Sequence, residues 1–305
     1  MAYQYVIPTW NNVLPNAWRP VMEVIQLATT EQQVDIDLGA CSFISPVTLL
    51  ALTALGARKD SWAEKILYRP AEGPIASFVH QLCFPNGYDL TQVDENTLKD
   101  YCAGFQAHTF HPIIRLHLSS GPQQQTTLVF LEKYQGLLIR QQLTHLGISS
   151  DLYETIAYTL EEMTQNMLQH SRCDVGMVVL QQYPDHGFID IAFADTGKGF
   201  THSYQFGPRP YPEVVDDVTA IRAALDQKST KDQAVSMGFG LKSTRKALCI
   251  GLRGQFFLWS GQGFYYNKGG DEQFGQLPVS YPGSLVVARV PTSIPVGYKL
   301  SDYLE

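Results

Sequence analysis

With 305 residues, of which 45% are apolar and 17% charged, the chain can bury cores for about two domains of roughly 150 residues each. A formal net charge of -7 provides no general attraction to nucleic acid or anionic lipid, so neither is expected as a partner. The opening MAYQYVIPTWNNVLP lacks the positive start and apolar centre of a signal peptide, and the longest mostly apolar run, near Val47 to Ala57, is too short to span a bilayer. The expected location is the cytoplasm. Five cysteines (Cys41, Cys83, Cys102, Cys173, Cys249) are scattered with no CxxC pair. That spacing argues for reduced, mostly buried thiols and against a disulfide framework or a zinc site.

In chain order, Val34, Ile36 and Leu38 alternate with polar residues and predict a half-buried strand. Pro46 then suits a first helical turn, and Leu49, Leu52 and Leu55, with Leu50 beside them, supply an apolar helix face. This strand-turn-helix unit resembles the STAS domain of anti-anti-sigma factors. There an Asp-Ser-Ser-Gly turn carries a phosphorylated serine; here the turn reads Ser45-Pro46-Val47-Thr48, without the acid and the usual acceptor, so a structural domain is expected and not a phosphosite. Phe84 to Gln125 is rich in turn-forming residues around a predicted strand, Pro112 to Leu118. Gly-Pro within Ser119 to Thr127 marks the expected linker, and Leu128 to Gly147 reads as a helix.

Three motifs follow. A helix over SSDLYETIAYTLEEMTQNMLQHS, capped by Ser150 or Asp151, carries Ile156, Leu160, Met163 and Met167 on one stripe; Glu162, Asn166 and His170 form a second line at four-residue spacing. A carboxylate and a carboxamide one turn apart can polarise a water and ligate a hard cation such as magnesium. Next, Val175 to Tyr183 and Gly187 to Phe200 read as a hairpin turned through PDHG, whose second strand delivers Asp195 to its end, followed by Gly197 and Gly199. Two residues without side chains let backbone lie close to a bound ring. Last, Gly238 and Gly240 precede a run with helical spacing, where free amide hydrogens suit phosphate.

Taken together, Glu162-x-x-x-Asn166, Asp195-x-Gly197-x-Gly199 and Gly238-x-Gly240-Leu241 resemble the Bergerat-fold, or GHKL, ATPases, a family that includes gyrase B subunits, MutL, histidine kinases and anti-sigma serine kinases. The resemblance runs from about Leu128 to Pro291, and GSLVVARVP is similar to the family's last strand. It implies an α/β (α+β) chain with a small STAS-like domain over residues 1–122 and, over 123–305, a Bergerat α/β sandwich with a mixed sheet. It further implies ATP and Mg2+ as ligands. By resemblance, Asp195 accepts from the adenine amino group, Gly197 and Gly199 admit the purine, and Asn166 ligates magnesium. Glu162 is the general base, Gly238, Gly240 and Leu241 hold phosphates, and Ser284 assists on the adenine side.

The connector from Phe200 to Met237 reads as a lid, with a helix over Val214 to Leu225 and Lys228, Ser229, Thr230 and Lys231 available to a terminal phosphate. A histidine kinase would need a phosphoacceptor helix, and upstream only His145 is on offer, without a neighbouring acid. A transducer domain of the clamp type is not expected after Pro291. The order of a STAS-like and then a Bergerat domain resembles bacterial partner-switching regulators. It implies regulatory protein partners, leaves room for a homodimer, and carries either ATPase or serine/threonine kinase activity or, alternatively, non-catalytic nucleotide sensing.

Overall fold

The computed structural model describes residues 3–7, 14, 16–31, 33–58, 64–69, 72–89, 109–119, 121–133, 147–226, 228 and 240–304. It is a mixed α/β protein built on two sheets. In the smaller, β1 (Tyr3–Val6), β2 (Val34–Asp37) and β3 (Ile66–Tyr68) run parallel in that order. Along β2, Val34 and Ile36 are buried while Asp35 and Asp37 are not, the alternation that the sequence predicts. Helices α1 (Arg19–Thr30) and α2 (Pro46–Gly56) connect these strands, and α3 (Ala76–Gln81) follows β3. Ser45 starts α2: its Oγ accepts from the Val47 N–H at 3.3 Å, and Pro46 occupies a first-turn position where its missing N–H costs nothing.

The larger sheet comprises β4 (Tyr88–Asp89), β5 (Ile114–His117), β6 (Val175–Tyr183), β7 (Phe188–Asp195), β8 (Gln255–Lys268) and β9 (Asp271–Pro291), in the spatial order β4-β5-β6-β7-β9-β8. It is mixed, because β4 and β5 are parallel and every other pairing is antiparallel. The hairpin of β6 and β7 turns through Pro184–His186 and then Gly187, whose φ of 67° is one that glycine adopts without a Cβ penalty. Since β5 pairs with β6, this sheet begins before residue 122. The stretch expected to be a linker, Ser119 to Thr127, instead runs into helix α4 (Pro122–Lys133). Pro122 fits a helix start, and the glutamines after it are good helix formers with no glycine among them.

Both faces of the larger sheet are covered. Ile189, Ile191 and Phe193 of β7 enter one core with Ile156 and Leu160 of α5 (Ser150–His170). Ala192 and Ala194 on the opposite face join another core with Val21, Val24 and Leu49 from α1 and α2. Helix α2 packs on β6, β7 and β3 and so lies between the two sheets. That explains a departure from its expected single apolar face: every residue from Pro46 to Leu55 is buried. Trp18 extends the junction by stacking on Phe257 of β8, with ring centroids 3.6 Å apart.

Helix α5 starts one residue earlier than expected, with the Ser149 Oγ accepting from the Leu152 N–H at 3.4 Å. The connector after β7 folds into α6 (Gly199–Phe206) and α7 (Asp217–Leu225), and α8 (Gly240–Arg245) leads into a π-helical turn, Lys246–Gly251. Gly238, Ser229, Thr230, Lys231, Cys102 and residues 134–146 of the Leu128 to Gly147 reading, His145 among them, lie outside the described residues. None of the four described cysteines is in a disulfide; Cys41 and Cys249 are buried, Cys83 and Cys173 partly so. Among the described residues no helix is long and apolar enough to cross a membrane.

Candidate functional site

Asp195 ends β7, where the register sets it between Gly176 of β6 and Ser284 of β9. The Ser284 Oγ donates to one carboxylate oxygen, Oδ2, and the Gly197 N–H donates to the other, Oδ1, at 2.8 Å. Only 3% of Asp195 is exposed, and this burial raises its carboxyl pKa above the ordinary range, with the two hydrogen bonds opposing. The acid is therefore held rigidly, with acceptor capacity left beside a cavity.

The glycines around it serve close packing. A Cβ on Gly197 would meet the Ser171 carbonyl oxygen at 1.9 Å, so the room left by that residue is taken by the end of α5 and not by a ligand. Lys198 N–H seals the same contact by donating to the Ser171 carbonyl at 2.8 Å. Gly199, at φ 71°, opens α6 and faces the cavity. Gly283, which the sequence reading missed, presses its Cα on the Asp195 backbone, and a Cβ there would lie 2.3 Å from the Asp195 oxygen.

The cavity has a volume of about 270 Å³, near the lower end of the roughly 300–1,000 Å³ usual for small-molecule sites. Glu162 and Asn166 of α5, Asp195, Gly199, Gly240, Leu241 and Ser284 all line it. Residues from every one of the three sequence motifs thus converge on one space. Its apolar walls include Phe193 of β7, Val286 of β9 and Met167 of α5, and His170, the third residue of the Glu162 line, also borders it.

Glu162 and Gly240 define each other's geometry. A Cβ on Gly240 would sit 1.6 Å from the Glu162 Oε2, so the carboxylate occupies the space that glycine leaves open. One turn before it, the Tyr158 hydroxyl pKa is pushed up to about 12, first by burial and then by the Glu162 charge. Among the described residues no group of three or more His, Cys, Asp or Glu side chains stands ready to hold a metal ion. A magnesium ion that takes one amide oxygen and its remaining ligands from phosphates and water requires no such group.

The connector after β7 is tied to the sheet by a residue the sequence reading did not single out. Asp217, at the start of α7, accepts from the Thr201 hydroxyl of α6 through Oδ1 and from the Gln262 N–H of β8 through Oδ2, the latter at 2.8 Å. Gly261 and Gly263 leave the space it fills, since a Cβ on Gly261 would fall 2.1 Å from its carboxylate. Ser260 adds a second tie: its Oγ donates to the Gly283 carbonyl at 2.7 Å and accepts from the Phe200 N–H at 3.1 Å. The spacing Gly261-x-Gly263 was the available signal, but it identifies no partner until the chain is folded. Lys228 borders the cavity and forms an exposed ion pair with Glu213 at 2.8 Å, a type of contact readily exchanged for another anion.

Neither the models of known protein families nor the curated proteins contain a match to this chain.

Proposed function

We propose that this chain is a Mg-ATP-binding regulatory protein of the Bergerat, or GHKL, type, working in the cytoplasm as an ATPase or a serine/threonine kinase in bacterial signalling. The convergence of Glu162, Asn166, Asp195, Gly240 and Ser284 on one cavity carries this reading. Residues of three separate motifs, together with Ser284 of β9, meet there through direct contacts, Glu162 against Gly240 and Ser284 on Asp195. In this reading the STAS-like unit, expected over residues 1–122, gives up β4 and β5 to the larger sheet of the nucleotide unit, expected over 123–305, and the two units share the core on the α2 side of that sheet. Regulatory protein partners and a homodimer belong to the same proposal.

The residues fit the ligands chemically. Asp195, oriented by Ser284 and Gly197, accepts a hydrogen bond from an exocyclic amino group. Phe193 and Val286 give a planar ring an apolar surface beside that acid. Asn166 offers its carboxamide oxygen to the cation, Gly240 and Leu241 face the phosphate end, and Lys228 exchanges Glu213 for phosphate. When bound, Mg-ATP supplies the transferable phosphoryl group and the cation that offsets its charge. Glu162 holds and then takes the proton of an attacking water or hydroxyl at Oε2.

The direct test is ADP release from Mg-ATP by the purified protein. Glu162→Ala should reduce turnover by about 100-fold or more, the usual scale for a general base, while retaining ATP binding. Turnover equal to wild type in that variant removes Glu162 from the reaction. ATP binding without turnover even in the wild type selects nucleotide sensing or a kinase awaiting its acceptor.

Gly240→Ala makes a sharper prediction. The new methyl displaces the Glu162 carboxylate, which is the free end of a flexible side chain, so the melting temperature should hardly change. Turnover should fall towards the Glu162→Ala level. Wild-type turnover in Gly240→Ala would mean that the present position of the carboxylate is not the reactive one.

A further inference from the structure

A second cavity, of about 410 Å³, lies on the other side of the larger sheet from α5, between the turn that starts α2 and the tip of the β6–β7 hairpin. Phe43, Ile44, Phe78 and Phe110 give it apolar and aromatic walls, with Phe78 and Phe110 edge to face at 5.1 Å between centroids. Tyr183 closes it from β6. It alternates with Val179 and Met177, which face the α2 side, and its residue is only 8% exposed. Its hydroxyl is buried without a hydrogen-bond partner. Ser45 lies nearby, but no well-formed hydrogen bond joins its Oγ to the phenol.

The lining also fixes the charge of an occupant. Among the described residues no Lys or Arg lines this cavity, so a carboxylate or phosphate would lose its water without compensation. Asp185 and His186 stand exposed at the rim. Arg289, whose charge acts on Tyr183, is closed onto Asp190 by two hydrogen bonds of 2.7 and 2.8 Å. The Gln181 amide is engaged too, donating to the Thr109 Oγ1 at 3.2 Å and to the Gln182 carbonyl at 2.5 Å. What remains is an aromatic chamber with ionisable residues only at its exposed rim and with two buried polar atoms that lack a hydrogen-bond partner, the Tyr183 hydroxyl and the Gln182 Oε1. We propose that it is a second binding site, for a small neutral aromatic molecule bearing an amide or hydroxyl that pairs with Tyr183.

This site is separate from the nucleotide cavity. Tyr183 pairs with Phe188 at one end of the hairpin, and Gly176 pairs with Asp195 at the other, about 20 Å away at roughly 3.3 Å per residue. The proposal does not depend on what the first cavity binds.

Benzamide is a suitable probe, with benzoate as its charged counterpart, each followed by saturation-transfer NMR on the intact chain. Benzamide should bind at millimolar concentration and benzoate should not. Tyr183→Phe, which removes only the hydroxyl, should weaken benzamide by about 3- to 10-fold, the scale of one neutral hydrogen bond. Ser42→Trp, a substitution at an exposed position lining the cavity, should abolish binding with the melting temperature retained. Saturating Mg-ATP should leave the benzamide signal intact. The proposal is overturned if benzamide does not bind, if benzoate binds as well, if Tyr183→Phe or Ser42→Trp has no effect, or if Mg-ATP removes the signal.

Discussion

Asp195→Asn should lose adenine-nucleotide affinity by about 10- to 100-fold, the value of a hydrogen bond to a charged acceptor, while the protein melts no lower than wild type at neutral pH. The two halves of this expectation have one cause. Asp195 is buried and its carboxyl pKa lies above the ordinary value, so the folded protein favours the protonated acid. That contribution to stability is fully present below the ordinary carboxylate pKa and is lost as pH rises through the raised one. Near neutrality the wild type therefore carries the cost of a buried charge, and an amide of the same shape does not. Nucleotide affinity of the wild type should also fall as pH drops through that raised value, whereas Asp195→Asn should show no such step. Calorimetric titration with ADP across pH, beside thermal melts, reads both; unchanged affinity in Asp195→Asn would remove the adenine assignment.

Asp190→Ala should destabilise the fold by about 3–5 kcal/mol, the cost of stranding one member of a buried ion pair. Asp190 and Arg289 sit directly opposite each other on β7 and β9. Their side chains are 2% and 8% exposed and joined by two short hydrogen bonds, and the guanidinium also lies 3.9 Å from the centroid of the Phe188 ring. Removing the carboxylate leaves that cation buried among core residues. Replacing both partners by apolar residues, Asp190→Leu with Arg289→Met, should recover most of the loss, because no charge is then left unpaired. Urea unfolding of the wild type, Asp190→Ala and the double variant measures this directly. Equal stability of wild type and Asp190→Ala would mean that water reaches Arg289.

Much of the local structure was legible because short-range physics decides it. The stripe of Ile156, Leu160, Met163 and Met167 is buried as its spacing requires, and the PDHG turn sits between two strands as read, although the second, expected to reach Phe200, stops at Asp195 and Gly199 already opens a helix. The placement of Glu162, Asn166, Asp195, Gly240 and Ser284 on one cavity was anticipated by motif order, although no single motif implied it. The Ser119 to Thr127 reading failed for a local reason: Gly-Pro punctuates a chain equally well as a loop or as the start of a helix, and here it is the latter.

Other features were out of reach because they depend on what the folded chain places nearby. The three-residue spacing of Leu49, Leu52 and Leu55 along α2 suggests one apolar face, yet the helix is buried all round because a helix and strands from distant parts of the chain meet on both its sides. Gly197 reads as room for a ligand, and the carbonyl of Ser171 fills it. Asp217 looks like an ordinary helix-start acid until β8 brings Gln262 to its other oxygen. By itself the sequence determined helices α2 and α5, most of α7, the hairpin and the set of acids and glycines, since these follow from contacts a few residues apart. Only the tertiary structure decided which glycine borders the cavity and which packs against the chain, and which buried acid is paired with a cation and which is left facing a cavity, because those outcomes depend on contacts between segments that meet only once the sheet has closed.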